Sequence, residues 1–103
     1  MNITTEETFI ETVYTATELS EVSISASHKW GYAQPASIKL LHKQNDGVSG
    51  IGATSIYNDV SIGDVISASG MFIMQPNDRI DLYVKGKGTG ANRIDIRLVV
   101  RKL

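Results

Sequence analysis

Apolar and polar side chains alternate along three runs of the chain, Val22–Trp30, Arg79–Lys85 and Arg93–Arg101. Successive side chains of a β-strand point to opposite faces of the sheet, so each run offers one face to a core and the other to water. On a helix the same spacing would scatter the apolar groups around the axis. The pattern predicts three amphipathic strands, with Trp30 in the core alongside Val22.

Other segments predict further strands with a less regular pattern. Phe72, Ile73 and Met74 are consecutive apolar residues, as expected of a strand that is covered on both faces. Turn residues separate the strands, and short strands separated by turns are typical of a β-sandwich or barrel. The additional strands are Thr8–Ala16, Ser37–Lys43, Ile51–Tyr57, Val60–Ile66 and Gly70–Gln75, and the turns are Asn45-Asp46-Gly47, Asn58-Asp59, Gly63-Asp64 and Pro76-Asn77-Asp78.

Length and composition bound the classes of protein. A chain of 103 residues holds one domain, and we expect an N-terminal arm at residues 1–7 and a single β-sandwich domain at residues 8–103. A formal net charge of −1 gives no overall attraction to nucleic acid or to an anionic membrane. The absence of cysteine excludes disulfides and thiolate metal sites. The N-terminus lacks the pattern of a signal peptide, so we expect synthesis in the cytoplasm, with neither nucleic acid nor membrane as a partner.

The polar residues offer little catalytic chemistry. His28 and His42 are the only histidines, and both lie in the inward phase of predicted strands. A metal site needs three or four protein ligands, and no inward carboxylate is predicted beside them. No Gly-x-Ser-x-Gly elbow occurs, and the glycine-rich stretch at Gly86–Gly90 lacks the spacing of a phosphate-binding loop. We therefore expect structural histidines, no cofactor, no metal and no enzymatic activity.

Two tyrosines are candidates for ligand contact. Tyr32 follows Trp30 and Gly31, and Tyr57 precedes the Asn58-Asp59 turn, so both are predicted near strand ends. Exposed aromatic residues in such places contact sugars or receptors. A stacking platform for single-stranded nucleic acid would also need interleaved basic residues on one face, and that pattern is not present.

Charge is distributed unevenly along the chain. Five acidic residues precede the first basic residue, and from residue 85 onward six basic residues accompany one acidic residue. Either the terminal strands lie side by side in one subunit and pair these charges, or the acidic end of one copy docks on the basic end of another. The second alternative predicts an assembly contact that consists of Glu6, Glu7, Phe9, Ile10, Glu11, Arg97, Arg101 and Lys102.

Residues 60–103 carry a pattern found in compact jelly-roll modules. The stretch Ile62–Ile66 begins with an apolar-Gly-Asp-apolar strand start, followed by Gly70-Met71-Phe72 and the amphipathic run Asp78–Val84. In its order of elements this region resembles tumour-necrosis-factor-like trimers and the small jelly-roll virion proteins of bacteriophages. The resemblance implies an all-β fold, a two-sheet antiparallel sandwich of jelly-roll type. An immunoglobulin-like sandwich is the alternative.

The same resemblance implies a function. It indicates a non-enzymatic bacteriophage virion structural protein, an auxiliary capsid, decoration or head-fibre subunit that forms a homotrimer. Its other partners would be virion proteins such as the major capsid protein, and it would reside in the virion after synthesis in the host cytoplasm. The alternative is a carbohydrate- or receptor-binding module of a phage tail or cell-surface protein. An exposed aromatic cluster with polar groups in a concavity would favour that module, whereas a flat terminal surface would favour the structural role.

The last two predicted strands could also pair with each other. A three-residue loop at Gly86–Gly88 would allow Arg79–Lys85 and Thr89–Leu103 to form a hairpin with Asp81 opposite Arg93. Opposite charges across such a pair contribute about 0.2–1 kcal/mol each, which biases the register. Many jelly rolls place these two strands in different sheets, so the hairpin and the jelly roll are competing expectations.

Overall fold

Eight β-strands make up the protein in a computed structural model that describes residues 2–31, 35–44, 55–59, 67–86, 88 and 90–103. No helix occurs among these residues, and the prediction of an all-β fold is confirmed. The strands are β1 Asn2–Ile3, β2 Thr8–Thr15, β3 Ser20–Gly31, β4 Pro35–Lys43, β5 Ser55–Asp59, β6 Ser67–Met74, β7 Arg79–Gly86 and β8 Gly90–Lys102.

The strands form two antiparallel sheets, one in the order β1-β8-β3-β6 and the other in the order β2-β7-β4-β5. The first strand pairs with the last, the second with the seventh, the third with the sixth and the fourth with the fifth. A long hairpin ribbon gives these pairs, and when it wraps on itself β8 joins β3 and β7 joins β4. This order is that of an eight-stranded jelly roll. It differs from the immunoglobulin-like alternative, in which more of the consecutive strands are sheet neighbours.

The predicted hairpin between the last two strands is wrong. β7 lies in one sheet and β8 in the other, so that Asp81 is opposite Thr12 and Leu41, while Arg93 is opposite Trp30. The twelve residues of β3 match the thirteen of β8, whereas β7 has only eight. Pairing with β3 therefore satisfies more of the backbone of β8 than a local hairpin would.

The core lies between the two sheets and consists of the inward rows of their strands. Alternation predicted these rows in β3 and β7, and they are buried from Val22 to Ala26 and from Ile80 to Val84. The inward row of β8 is only partly buried, and the side chain of Trp30 lies outside the described residues. The buried apolar residues are Ile3, Ala16, Val22, Ile24, Ala26, Ile38, Leu40, Ala68, Phe72, Met74, Ile80, Leu82 and Val84.

The segment expected as an N-terminal arm contributes a strand to the sandwich. Asn2 and Ile3 pair with Ala91 and Gly90, and the Ile3 side chain is fully buried. The Gly86 amide donates to the carbonyl oxygen of Thr4 at 2.6 Å. A Cβ atom on Gly86 would lie 2.9 Å from the Ile3 side chain and 2.6 Å from the carbonyl oxygen of Gly88, so glycine is needed where this segment crosses β7.

Only some of the predicted turns can be compared with the structure. Asn45-Asp46-Gly47 and Gly63-Asp64 lie outside the described residues, as does the predicted strand Val60–Ile66. The turn predicted at Asn58-Asp59 is wrong, because both residues belong to β5 and pair with β4. There the local preference of asparagine and aspartate for turns is overridden by strand pairing.

The predicted turn at Pro76-Asn77-Asp78 is present and connects the two sheets. The Asp78 amide donates to the Gln75 carbonyl oxygen at 3.1 Å, with Pro76 at the second position and Asn77 at φ 70° in the third. This is the pattern of a type II turn. The Asn77 amide donates to the Ala16 carbonyl oxygen and the Ala16 amide to the Asp78 carbonyl oxygen, both at 2.8 Å. The turn is thereby fixed to the connection between β2 and β3.

The positive φ of Asn77 gives a test of this turn. Asn77→Ala should lower the free energy of unfolding by about 1 kcal/mol, because a Cβ-bearing residue without a local polar side chain adopts the left-handed region at a cost. Asn77→Gly, the matched control, should leave stability within a few tenths of a kcal/mol of the wild type. Urea unfolding of the three proteins measures both differences. Equal stability of the alanine and glycine variants would contradict the assigned turn geometry.

Candidate functional site

Acidic residues of the N-terminal half and basic residues of β8 contact each other within one subunit, where the start of β3 lies beside the end of β8. β8 lies beside β3, and Arg101 Nη2 is 2.8 Å from Glu21 Oε2. Lys102 Nζ is 3.4 Å from Glu18 Oε2. These contacts are those of the first alternative, in which terminal strands pair their charges within a subunit. They are exposed pairs, each worth at most about 1 kcal/mol.

The residues of the predicted assembly contact are divided between two surfaces. Arg97 and Arg101 lie on the outer face of the first sheet, level with Ser25 and Glu21 of β3. Phe9 lies on β2 in the second sheet, where it is 50% exposed. The eight residues therefore do not form one patch on a single subunit, and a contact between two copies stays a prediction.

The acidic residues of that set belong to the start of the second sheet. Glu6 and Glu11 are exposed, and Glu7 Oε1 lies 3.3 Å from Lys39 Nζ of β4. Ile10 is at a bulge in β2 and packs partly buried against the core. Glu7 thus contacts β4 in this subunit.

The tyrosines predicted as ligand contacts are not placed by the structure. Tyr32 lies outside the described residues. Tyr57 is in β5 opposite Lys39, and its side chain is not described.

A different aromatic residue, Tyr83, lies in a shallow depression on the second sheet. The depression is also lined by Phe9, whose ring meets the Tyr83 ring edge to face at 5.7 Å, and by Asp81. Asp81 is 2% exposed although it lies in the outward phase of β7. Alternation could not reveal this burial, because it comes from long side chains that fold over the carboxylate from neighbouring strands.

The polar atoms of this depression are already bonded to each other. The Thr12 hydroxyl donates to Asp81 Oδ1 at 2.7 Å, and Arg79 Nε donates to Asp81 Oδ2 at 3.2 Å. Lys43 Nζ donates to the Tyr83 hydroxyl at 3.0 Å and lies 3.5 Å from Asp81 Oδ2. The Tyr83 hydrogen bond, followed by the charges around it, raises the pKa of Lys43 above its ordinary value. These bonds hold β2, β4 and β7 together on their outer face.

Two lysine ammonium groups also lie close to the Tyr83 ring. The ammonium groups of Lys39 and Lys43 lie 5.4 and 5.6 Å from its centroid, within the range of cation–π contact. A sugar ring that stacked on Tyr83 would have to displace at least one of them. The depression therefore has the composition of a binding site. Its hydrogen-bonding groups are already bonded to each other, however, and the Tyr83 ring already has two lysine ammonium groups beside it.

The two histidines have different surroundings. His42 is buried, its Nε2 lies 3.0 Å from Asp78 Oδ2, and its ring meets the Phe72 ring at 5.5 Å. The expectation that no inward carboxylate accompanies the histidines is wrong, because the turn at residues 75–78 directs Asp78 into the core. His28 Nε2 is buried with no hydrogen-bond partner among the described residues. Within the same residues no group of three or more potential ligands could hold a metal ion.

The most unusual surface is an apolar strip on the outer face of the first sheet. We define the strip as Met71 and Ile73 of β6 together with Val99 of β8, which are 61%, 53% and 71% exposed. Ser23 of β3 lies between Met71 and Val99 in register, and Glu21 lies beside Ile73. Outward positions of a water-facing antiparallel sheet are usually polar. The continuous apolar run in β6 had predicted a strand covered on both faces, and no described part of the chain covers this face.

Small residues make the strip accessible along a shallow trough. Ser23, Ser25 and Ser69 form its floor between β6 and β8, and Arg97 lies at its rim. The trough has a volume of about 500 Å³ and is open to solvent. It combines exposed apolar side chains with serine hydroxyls and one arginine, which suits packing against another surface better than it suits chemistry on a small substrate.

Comparisons with known proteins give no further guide to this surface. The chain matches no protein family, and searches of curated proteins and solved structures give no significant match. No helix among the described residues is long and apolar enough to cross a membrane. Function must therefore be argued from the surfaces themselves.

The raised pKa of Lys43 predicts how its contribution depends on pH. A lysine whose pKa is higher in the folded than in the unfolded state stabilises the protein fully below its ordinary pKa of 10.5, and the stabilisation is lost as pH rises through the folded value. The destabilisation caused by Lys43→Met should be constant between pH 7 and about pH 9.5 and should shrink above pH 10.5. Urea unfolding across this range measures it, with Lys85→Met, an exposed lysine, as control. A constant difference up to pH 12 would contradict the assignment.

Proposed function

We propose that the protein is a non-enzymatic structural component of a bacteriophage virion, an auxiliary capsid, decoration or head-fibre subunit. The observation that carries the proposal is the apolar strip on one outer face of a jelly roll. Viral capsid proteins and lectins both use this fold. Because a fold does not determine a function, the choice between them rests on the surfaces.

The energetics of the strip favour docking on an extended surface. Full burial of its three side chains would contribute at most about 5–9 kcal/mol. Association costs about 4–15 kcal/mol in lost translational and rotational freedom and in ordering of the interface. The strip alone thus supports a weak contact, and stable attachment needs several linked copies. A particle that presents many equivalent sites to a self-associating subunit satisfies this requirement.

The partners in this proposal are other virion proteins, such as the major capsid protein, and further copies of the chain. The strip would pack on the particle, while the opposite, polar sheet would face outward. The homotrimer implied by the resemblance stays a prediction, as does residence in the virion.

The second candidate is a carbohydrate- or receptor-binding module. The depression around Tyr83, with Phe9 and a carboxylate, is the concave aromatic and polar cluster that would favour it. Against it, the oxygens of Asp81 and the hydroxyl of Tyr83 are already hydrogen-bonded inside the subunit. A ligand would have to replace bonds of equal quality, so we favour the structural role.

Particle composition tests the proposal. Virions of the phage that carries the gene, purified on a density gradient, should contain the chain at a fixed ratio to the major capsid protein when analysed by mass spectrometry. A chain that is abundant in the lysate and absent from purified particles would contradict a structural role.

A pair of variants assigns the docking face. Met71→Thr combined with Ile73→Thr should reduce particle occupancy at least tenfold, since it removes most of the exposed apolar area of the strip. Tyr83→Phe combined with Thr12→Val, on the opposite sheet, should leave occupancy unchanged. The reverse pattern would transfer the function to the Tyr83 depression and favour the second candidate. Urea unfolding of each variant separates lost docking from lost folding.

A further inference from the structure

The first sheet is incomplete at the edge of β8 that faces β1. β1 is two residues long and pairs only with Gly90 and Ala91 at the start of β8. From Arg93 to Lys102 the outer edge of β8 has no neighbouring strand within the part of the chain that the structure describes. The backbone groups along this edge are open to pairing with another strand.

Inward side chains next to this edge are less buried than those in the rest of the core. Among the side chains that the structure describes, the apolar ones that pack against the core and remain only partly buried come from the two strands on this side: Ile10, Val13 and Tyr14 of β2, and Ile94, Ile96 and Leu98 of β8. Val100, the next inward residue of β8, is 43% exposed.

The other edge of the same sheet provides an internal comparison. β6 is also an edge strand, yet its inward residues Ala68, Phe72 and Met74 are 3% exposed or less. Being at an edge is therefore not enough to expose an inward row. The exposure of the β8 row follows from the short β1, which leaves room for one more strand.

We propose that β8 of a second copy occupies this place. The two β8 strands would pair antiparallel across a two-fold axis, so that the first sheets of both copies join into one continuous sheet. Strand addition of this kind gives affinity through main-chain hydrogen bonds and covers alternate side chains. It would also place the inward row of each β8 next to that of its partner.

The charges along the open edge locate the axis. The open stretch of β8 runs from Arg93 to Lys102, and Leu98 lies near its middle. With the axis at Leu98, Ile96 lies opposite the partner's Val100, and Asp95 lies opposite the partner's Arg101. At the centre the inward row is then apolar against apolar, from Ile96 to Val100, while Ile94 faces the aliphatic stem of the partner's Lys102, and the outer row contains two symmetric pairs of opposite charge.

Shifting the axis by one residue in either direction makes the contact unfavourable. With the axis at Arg97, that arginine faces itself in the partner, and with the axis at Val99, Arg97 faces the partner's Arg101. Like charges directly opposite each other destabilise a strand pair. An axis between two residues would oppose inward with outward side chains, which the two faces of a sheet forbid.

A shift of the axis by two residues towards the start of β8 brings the partner strand against β1. With the axis at Ile96, Asp95 would face the partner's Arg97, which is acceptable for charge. The same register places the partner's Arg101 beside Ala91, where Asn2 of β1 is already paired. The axis at Leu98 is therefore the register that uses the open edge fully and leaves β1 in place.

This inference goes beyond the proposed function, because it concerns self-association of the isolated protein and needs no particle. Sedimentation equilibrium of the full chain at about 1–100 μM should show reversible association through the edge. Asp95→Arg places an arginine opposite the partner's Arg101, and Arg101→Asp places an aspartate opposite the partner's Asp95. Each substitution occurs twice in the symmetric contact, so each should weaken association about tenfold.

The combination of both substitutions is the decisive variant. Asp95→Arg with Arg101→Asp restores opposite charges across the axis, and in a Glu21→Gln background, where the new aspartate does not face a carboxylate of β3, it should return the association constant to within about threefold of the Glu21→Gln protein. Arg97→Asp is the matched control, because Arg97 faces the partner's Val99 in this register and should have little effect. A large loss with Arg97→Asp would overturn the register.

Two results would overturn the contact itself. One is a wild-type protein that stays monomeric at 100 μM, and the other is a double variant as weak as its single parents. Hydrogen exchange adds a local measurement, since amides of residues 94–102 should become more protected as protein concentration rises while those of β6 do not. Met71→Thr with Ile73→Thr should leave this association unchanged, so that loss of particle docking and loss of self-association are separately visible.

Discussion

The pairing of β8 with β3 is the constraint on which the rest of the structure depends. It joins the last strand to the third along nearly the whole length of both. β7 lies in the other sheet, where it pairs with β2 and β4. The pairing of β8 with β3 also brings Arg101 next to Glu21 and leaves the far edge of β8 to a β1 that is too short to cover it.

The two outer faces of the sandwich have opposite characters as a result. On the second sheet Asp81 is enclosed by Thr12, Arg79 and Lys43, so charge on that face is neutralised within the subunit. On the first sheet the middle strand carries serines, and the strands on either side carry exposed apolar residues. The polar groups around Asp81 on the second face are bonded within the subunit, whereas the apolar side chains of Met71, Ile73 and Val99 on the first face are exposed.

Sequence alternation predicted much of this fold because its signal is local. The inward rows of β3 and β7 follow directly from a spacing of two, and the turn at Pro76-Asn77-Asp78 follows from backbone preferences. Strand partners are a different matter, since a local hairpin and a distant pairing can satisfy the same pattern. Asp81 and Arg93 have opposite charges that would suit a hairpin of β7 with β8. Instead β8 pairs with β3, which has nearly the same length.

The candidate surfaces were harder to foresee, since they depend on what lies across the sheet. The apolar run Phe72-Ile73-Met74 correctly marked a strand with two apolar faces, but only the strand order shows that Ile73 is uncovered in the subunit. The charged ends of the chain predicted a contact, and Glu18 and Glu21 do meet Lys102 and Arg101. The burial of Asp78 beside His42 could not be read from spacing, because it depends on how a turn crosses between the two sheets.

The nested ribbon also determines how the chain can fold. β4 and β5 are the only consecutive strands that are sheet neighbours in the described residues, and each further pair encloses the one before it. The chain segment that a new strand pair must close is longest for the outermost pair, β1 with β8, and shortest for the innermost, β4 with β5. The entropic cost of closure is therefore lowest when β4 and β5 pair first and the other pairs follow in order. Strands β1 and β8, at opposite ends of the chain, are then the last to join. Until they do, both edges of β8 are unpaired, including the edge that β3 covers in the completed fold.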